Sequence, residues 1–582
     1  MDYLSEYRNW VNSPYIDEGT KVELLGIGDN QMEIRERFCS HLEFGTAGLR
    51  GLMGAGTNRM NVYTVGRAAR GLANHIIALG SGYAARGVVI AYDSRRFSRE
   101  FALRSALVLC AAGVKAYLFS DIRPTPLLSF AVRELGAAAG IVVTASHNPP
   151  EYNGFKVYWE DGGQVTSERA EWITREIHGV CDACGVPVMD REEALREGLF
   201  VEVGDEIDRK YVDKALLLCL DRDMVQKNGG GLGIVYTPLH GTGYSLVTKA
   251  LAAAGFSRVE TVKEQKEPHM DFPTVRSPNP EDREALGMAI AIAQKEDADL
   301  VVATDPDADR IGIAAKTKDG EFETFTGNQI GALLTDYILS RRKRMGLVSD
   351  RDVIIKTIVT SEMGRAIASS YGVETLDTLT GFKYIAEKIE QFSKTGEKNF
   401  VFGYEESNGY LAGDFVRDKD GVIAALLVCE AALYHKLKGV TLSEVLEDLY
   451  RRHGYFLEDV VSIKLEGCEG LEKKRRIMQH FRENRGCIGK LLGEPVQETR
   501  DYLSGLKYDQ DGVELGGLDL PVSDVLYFDL GGSSWVCIRP SGTEPKLKLY
   551  YSVVAQGKEG ALERLERVKK RLDRVIKEVI GR

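Results

Sequence analysis

Short apolar runs, each followed by a polar loop and then by a segment of helical periodicity, recur from about residue 87 to residue 438. Residues 87–92 read as a strand; Ser98 is placed to cap a helix over 99–112. A strand at 114–119, a helix at 127–135 and a strand at 140–144 follow. The second round has strands at 233–236, 259–263 and 300–303, with a helix before and another at 283–295. The third has helices at 329–342 and 364–370, strands at 353–357 and 400–402, and a long helix over 422–438. Strands that alternate with helices imply parallel pairing and sheets covered on both faces. Ligands then gather at the carboxyl ends of the strands.

The flanks differ. Residues 1 to about 43 read as a helical lead-in, and from about 450 strands at 460–465, 525–529, 535–538 and 546–553 mix with helices at 471–485 and 560–580, an α+β pattern. At 582 residues the chain is long enough for several domains, here bounded as 1–210, 211–323, 324–448 and 449–582. A net charge of -11 argues against a general nucleic-acid binder and against an anionic membrane surface. No apolar run reaches about 18 residues and the start lacks a signal-peptide pattern, so no membrane span and a cytoplasmic location are expected. Cys181 and Cys184 make the one CxxC; with no second pair at zinc-like spacing they read as reduced thiols.

Four loops carry possible chemistry. The strand at 140–144 ends in Ser146, flanked by His147, Asn148, Pro149 and Pro150. This is either a Ser- and Pro-rich turn or a serine held as a nucleophile or phosphate carrier. Asp305, Asp307 and Asp309 alternate after another apolar strand; in an extended segment they share a face and converge on one cation, with Mg²⁺ favoured over Zn²⁺ by their hard oxygens. An EF-hand fails, because its sixth and twelfth positions hold Arg310 and Lys316. Arg539-Pro540-Ser541-Gly542-Thr543 combines a guanidinium, hydroxyls and backbone N–H groups, which suits a phosphate or simply a hairpin turn. Glu405-Glu406-Ser407 offers acceptors for sugar hydroxyls. Arg50, in a glycine-dense segment, reads as an anion clamp or part of a flexible loop, and Lys156 as a proton shuttle or a surface charge.

With TASHNPPEYNGFK at 144–156, DPDADR at 305–310, GYEES at 403–407 and RPSGTEPK at 539–546, the chain resembles the α-D-phosphohexomutase family, whose four signature loops these match in order. The resemblance implies three related α/β units with mixed sheets plus a C-terminal α+β (TATA-binding-protein-like) domain, their loops meeting around a central cleft. It implies Ser146 as a phosphoserine, with Asp305, Asp307, Asp309 and a phosphoserine oxygen holding Mg²⁺. Glu405, Ser407 and Lys383 would contact the sugar. Arg539, Ser541, Gly542 and Thr543 would hold the non-reacting phosphate. Lys156 would be the general acid/base, with Arg50, His147 and Arg310 around the transferred group. The implied reaction interconverts glucose 1-phosphate and glucose 6-phosphate, with glucose 1,6-bisphosphate as intermediate and activator. Mannose and pentose phosphates are the alternatives, and a Mg²⁺-dependent phosphatase is the rival reaction class. The expected partners are small sugar phosphates, with no nucleic acid or membrane, in a monomer or small homo-oligomer.

Overall fold

The computed structural model describes residues 2–45, 48–465, 468–541 and 546–581. Two compact units emerge: one of residues 1–327 and 382–442, the other of 328–381 and 443–582.

The first unit opens with three short helices, Tyr3–Asn12, Glu18–Gly26 and Gln31–Phe38. Trp10, Phe38 and Tyr63 pack edge to face and join them to the first α/β layer. That layer is a sheet of β1 (Gly48–Leu52), β2 (Val88–Tyr92), β3 (Ala116–Phe119), β4 (Ala139–Val143), β5 (Tyr152–Trp159) and β6 (Phe200–Val203), in the order β1-β5-β4-β2-β3-β6. The central strands β2 and β4 are buried at every residue, as continuous apolar runs require when helices cover both faces. Pairing is parallel among β4, β2, β3 and β6 but antiparallel for β4 with β5 and for β5 with β1. The helix–strand alternation implies parallel pairing, which holds for the central strands, and the sheet as a whole is mixed, as the family resemblance implies. The cause is local: β4 and β5 join through the short serine loop with no crossover helix, which permits only antiparallel return.

A second sheet holds β7 (Ile234–Thr237), β8 (Val259–Thr261), β9 (Leu300–Thr304), β10 (Ile311–Lys316) and β11 (Phe322–Thr324), ordered β11-β10-β9-β7-β8. Here too the short aspartate loop turns β9 antiparallel into β10. The unit closes with the helix Phe382–Thr395, the antiparallel pair β14 (Asn399–Glu405) and β15 (Gly409–Ala412), and the buried helix Gly421–Lys436.

The second unit contains the parallel pair β12 (Asp352–Thr357) and β13 (Glu374–Thr378). It also contains a sheet-rich C-terminal domain, whose seven-stranded sheet packs against the helix Lys558–Gly581 through residues such as Leu549, Val568 and Leu572. No helix among the described residues is long and apolar enough to cross a membrane.

Candidate active site

Ser146 lies just past the carboxyl end of β4, buried, with its backbone in the left-handed region at φ 51°. Its N–H donates to Thr144 Oγ1 (2.8 Å), and Thr144 Oγ1 donates to Asp93 Oδ2 (2.6 Å). The hydroxyl Oγ donates to Asp305 Oδ2 (2.6 Å) and lies 3.2 Å from His147 Nδ1. Serine and aspartate loop, some 160 residues apart, thus meet directly.

The three aspartates converge as expected, but by another route. The segment after β9 is a turn, with Ala308 at φ 49°, so no pleat aligns them. The backbone instead folds around Asp305, whose Oδ1 accepts from Asp309 N and Arg310 N (both 3.1 Å). The oxygens of Asp305, Asp307 and Asp309 lie within 4.8 Å of one another, in the only such group among the described residues. Gly241 makes this approach possible, since a Cβ there would sit 2.3 Å from Pro306 Cα.

The mutual repulsion expected of three carboxylates is largely compensated. Asp307 Oδ2 receives Lys156 Nζ (2.9 Å) and Thr125 Oγ1 (3.0 Å), and Asp309 Oδ2 lies 3.1 Å from Lys419 Nζ. Burial works to raise Asp307, yet Lys156 and its hydrogen bonds hold it well below the usual carboxylate range. Burial and the neighbouring aspartates push Asp305 well above that range. Burial opposes the charge on Lys156 and Lys419, but the carboxylates around them win and raise both. Asp307 Oδ1 and Asp309 Oδ1 are buried without a hydrogen-bond donor. Asp309 Oδ1 has only the Arg310 Nε at 3.6 Å beside it, and two hard oxygens free of hydrogen bonds next to a third carboxylate fit a small divalent cation.

His147 is held well below its usual pKa by burial and then by Arg310, so it is neutral. Arg310 Nη1 reaches Glu281 Oε1 (3.0 Å) and Ser407 O (2.9 Å), which ties the aspartate loop to the loop of Glu405, Glu406 and Ser407. Glu405 ends β14 and is buried. Lys383, at the start of Phe382–Thr395, lies 3.5 Å from Ser167 Oγ and is lowered by burial. Arg50 stands on β1, paired with Gly154, near enough to His147 to act on its charge.

In the second unit, Arg539 lies on the strand Ser534–Pro540, which pairs antiparallel with Lys546–Ala555, and Ser541 N donates to Lys546 O (2.8 Å). Gly542 and Thr543 lie outside the described residues.

Sequence reasoning missed three elements here. Lys419 is one; its Asp418 is anchored by Tyr158 Oη (2.7 Å) and Gln164 Nε2 (2.8 Å). Glu281 is the second. The third is Lys474, whose Nζ donates to Ser541 O (2.9 Å). Buried charge inside Arg417-Asp418-Lys419-Asp420 was the available signal, since unpaired charges rarely sit before so apolar a helix.

Models of the phosphoglucomutase/phosphomannomutase alpha/beta/alpha domains I, II and III match residues 41–180, 209–320 and 326–453. The chain is 38% identical to the phosphoglucomutase of Staphylococcus aureus (strain MRSA252) over 528 residues, 90% of this chain and 92% of that one. It is 38% identical over 551 residues to that of Staphylococcus epidermidis (strain ATCC 12228 / FDA PCI 1200), 94% and 96% of the two chains. In fold it is similar to the open form of Paramecium pp63/parafusin, with a TM-score of 0.68 at 17% identity, covering 93% and 96% of the two chains. A phosphoglucomutase/phosphomannomutase family protein from Burkholderia thailandensis gives a TM-score of 0.63 at 19% identity, covering 92% and 98%. Three α/β domains, a sheet-rich fourth and these matches define a phosphohexomutase, an isomerase. The chain belongs to the phosphoglucomutase/phosphomannomutase family.

Proposed function

We propose that this chain interconverts glucose 1-phosphate and glucose 6-phosphate, with Ser146 as the phosphate carrier and glucose 1,6-bisphosphate as intermediate and priming activator. The observation that carries the reading is the 2.6 Å hydrogen bond from Ser146 Oγ to Asp305, within a carboxylate trio that keeps two buried oxygens without a hydrogen-bond donor. Mg²⁺ at Asp305, Asp307 and Asp309 would neutralise charge on the phosphoryl group in transfer.

Transfer breaks the bond from phosphorus to Ser146 Oγ and forms one to a sugar oxygen, and the sugar hydroxyl's proton ends on the serine. Lys156, charged at the aspartate loop, and neutral His147, at the serine hydroxyl, are the groups suited to relay it. Arg50 and Arg310 add positive charge around the group in flight. Glu405, Ser407 and Lys383 read the sugar, and the loop of Arg539, Ser541, Gly542 and Thr543, backed by Lys474, holds the other phosphate. Domain boundaries near residues 210, 323 and 448 and a cytoplasmic location fit this reading, with small sugar phosphates as the partners.

The test is incubation with glucose 1-phosphate, Mg²⁺ and a trace of the bisphosphate. Glucose 6-phosphate should form without matching free phosphate, and faster than product from mannose 1-phosphate or ribose 1-phosphate. Free phosphate without isomer would mean a phosphatase instead.

A further inference from the structure

Between β4 and β5 the serine loop runs without regular secondary structure, so its carbonyls need partners from elsewhere. One side chain reaches three of them and the first carbonyl of β5. Arg95, just past the carboxyl end of β2, donates through Nη2 to Ser146 O (2.6 Å) and Asn148 O, and through Nη1 to Pro149 O (2.8 Å) and Tyr152 O (3.1 Å). Its side chain is fully shielded, with Nε 3.3 Å from Asp93 Oδ2. Asp93 accepts in turn from Thr144 Oγ1, whose oxygen accepts the N–H of Ser146. The ring of Phe272 covers the guanidinium at 4.9 Å. Ser146 is thus held on both sides of its Cα, through its N–H by Thr144 and through its carbonyl by Arg95. A non-glycine residue keeps a left-handed backbone only where its surroundings over-determine it, and this brace does so.

We propose that Arg95 is a positioning residue for Ser146, setting the loop so that a phosphate carried there passes to the sugar rather than to water. This rests on Ser146 being the phosphate carrier. The guanidinium's planar fork of N–H donors matches four carbonyls; a lysine ammonium, with three donors on one atom, cannot.

The experiment compares wild type with Arg95→Lys, after mass spectrometry has located phosphate on wild-type Ser146. Melting curves give the folded fraction. The readouts are kcat, KM for glucose 1-phosphate, and the rate at which phosphoenzyme loses phosphate in buffer. Per folded molecule, Arg95→Lys should lower kcat by about 100-fold, move KM by no more than about threefold, and speed phosphate loss at least about tenfold. Should that variant not fold, Thr144→Val, nearly isosteric, cuts the same brace at its other end and should shift kcat and leakage in the same directions. Unchanged phosphate loss in the variant that folds overturns the proposal, whatever happens to kcat. Isomerisation by wild type with no phosphate ever found on Ser146 overturns the carrier reading itself, and this proposal with it.

Discussion

Lys419 Nζ stands 3.1 Å from Asp309 Oδ2 and 3.2 Å from Asp418 Oδ1, so a lysine more than a hundred residues from the aspartate loop sets that loop's charge. On the proposed mechanism, a cation so close to a carboxylate of the candidate metal site competes with the metal while adding positive charge beside the proposed phosphate carrier. Lys419→Met should therefore bind Mg²⁺ about tenfold more tightly, yet turn over about 100-fold more slowly. Calorimetric Mg²⁺ titration and steady-state rates read the two effects, and weaker Mg²⁺ binding would contradict the charge argument.

Ser146→Ala removes the hydroxyl that donates to Asp305 Oδ2. Turnover should drop by at least about 10³-fold, with no phosphate detectable at that position by mass spectrometry. The melting temperature should shift by only a few degrees, since the lost hydroxyl makes two hydrogen bonds, to Asp305 and His147, worth about 1 kcal/mol each. Near-normal turnover in this variant would remove Ser146 from the mechanism.

Asp420 caps the helix Gly421–Lys436, accepting from Val422 N and Ile423 N (both 2.9 Å) and from Tyr211 Oη (2.7 Å). Burial pushes its carboxyl up to about 6. The folded state thus holds a proton that the unfolded chain, titrating near 4, releases earlier. The associated stability is fully present below about pH 4 and is lost as pH rises through 6, up to about 3 kcal/mol. Asp420→Asn keeps a capping oxygen but cannot ionise. Its melting temperature should gain on wild type by a few degrees between pH 4.5 and 7.5, and parallel curves would refute the assignment.

Gly241→Ala places a methyl 2.3 Å from Pro306 Cα, against backbone that cannot swing aside. It should cost about 1–3 kcal/mol of stability and weaken Mg²⁺ binding, because the shift falls on the residue beside Asp305. Thermal melts with and without Mg²⁺ separate the effects; Mg²⁺ should stabilise the variant less.

Much of this was legible in the chain. Strands such as β4 and β9 are apolar at nearly every position because helices cover both their faces, and that pattern survives in one dimension. The four polar loops could be located because they interrupt that pattern. Less visible were relationships that depend on backbone direction. Ser98 was expected to cap its helix, yet it is the first helical residue after Phe97, and its hydroxyl turns to Asp93 (2.7 Å). The aspartates were expected to meet along an extended segment, but a left-handed Ala308 brings them together. Lys419 and Arg95 escaped notice because lysine and arginine in a polar stretch look solvated; only folding shows that each is buried against its partners.

The division of the chain has a consequence for synthesis. Residues 328–381 belong to a unit whose remaining part is 443–582, while 382–442 complete the unit begun at the N-terminus. A ribosome adding about 5–20 residues per second needs roughly 7–28 s to make the 140 residues from 443 to 582. For that interval residues 328–381 lack the larger part of their unit, so the second unit is completed after the first although its opening segment is made earlier.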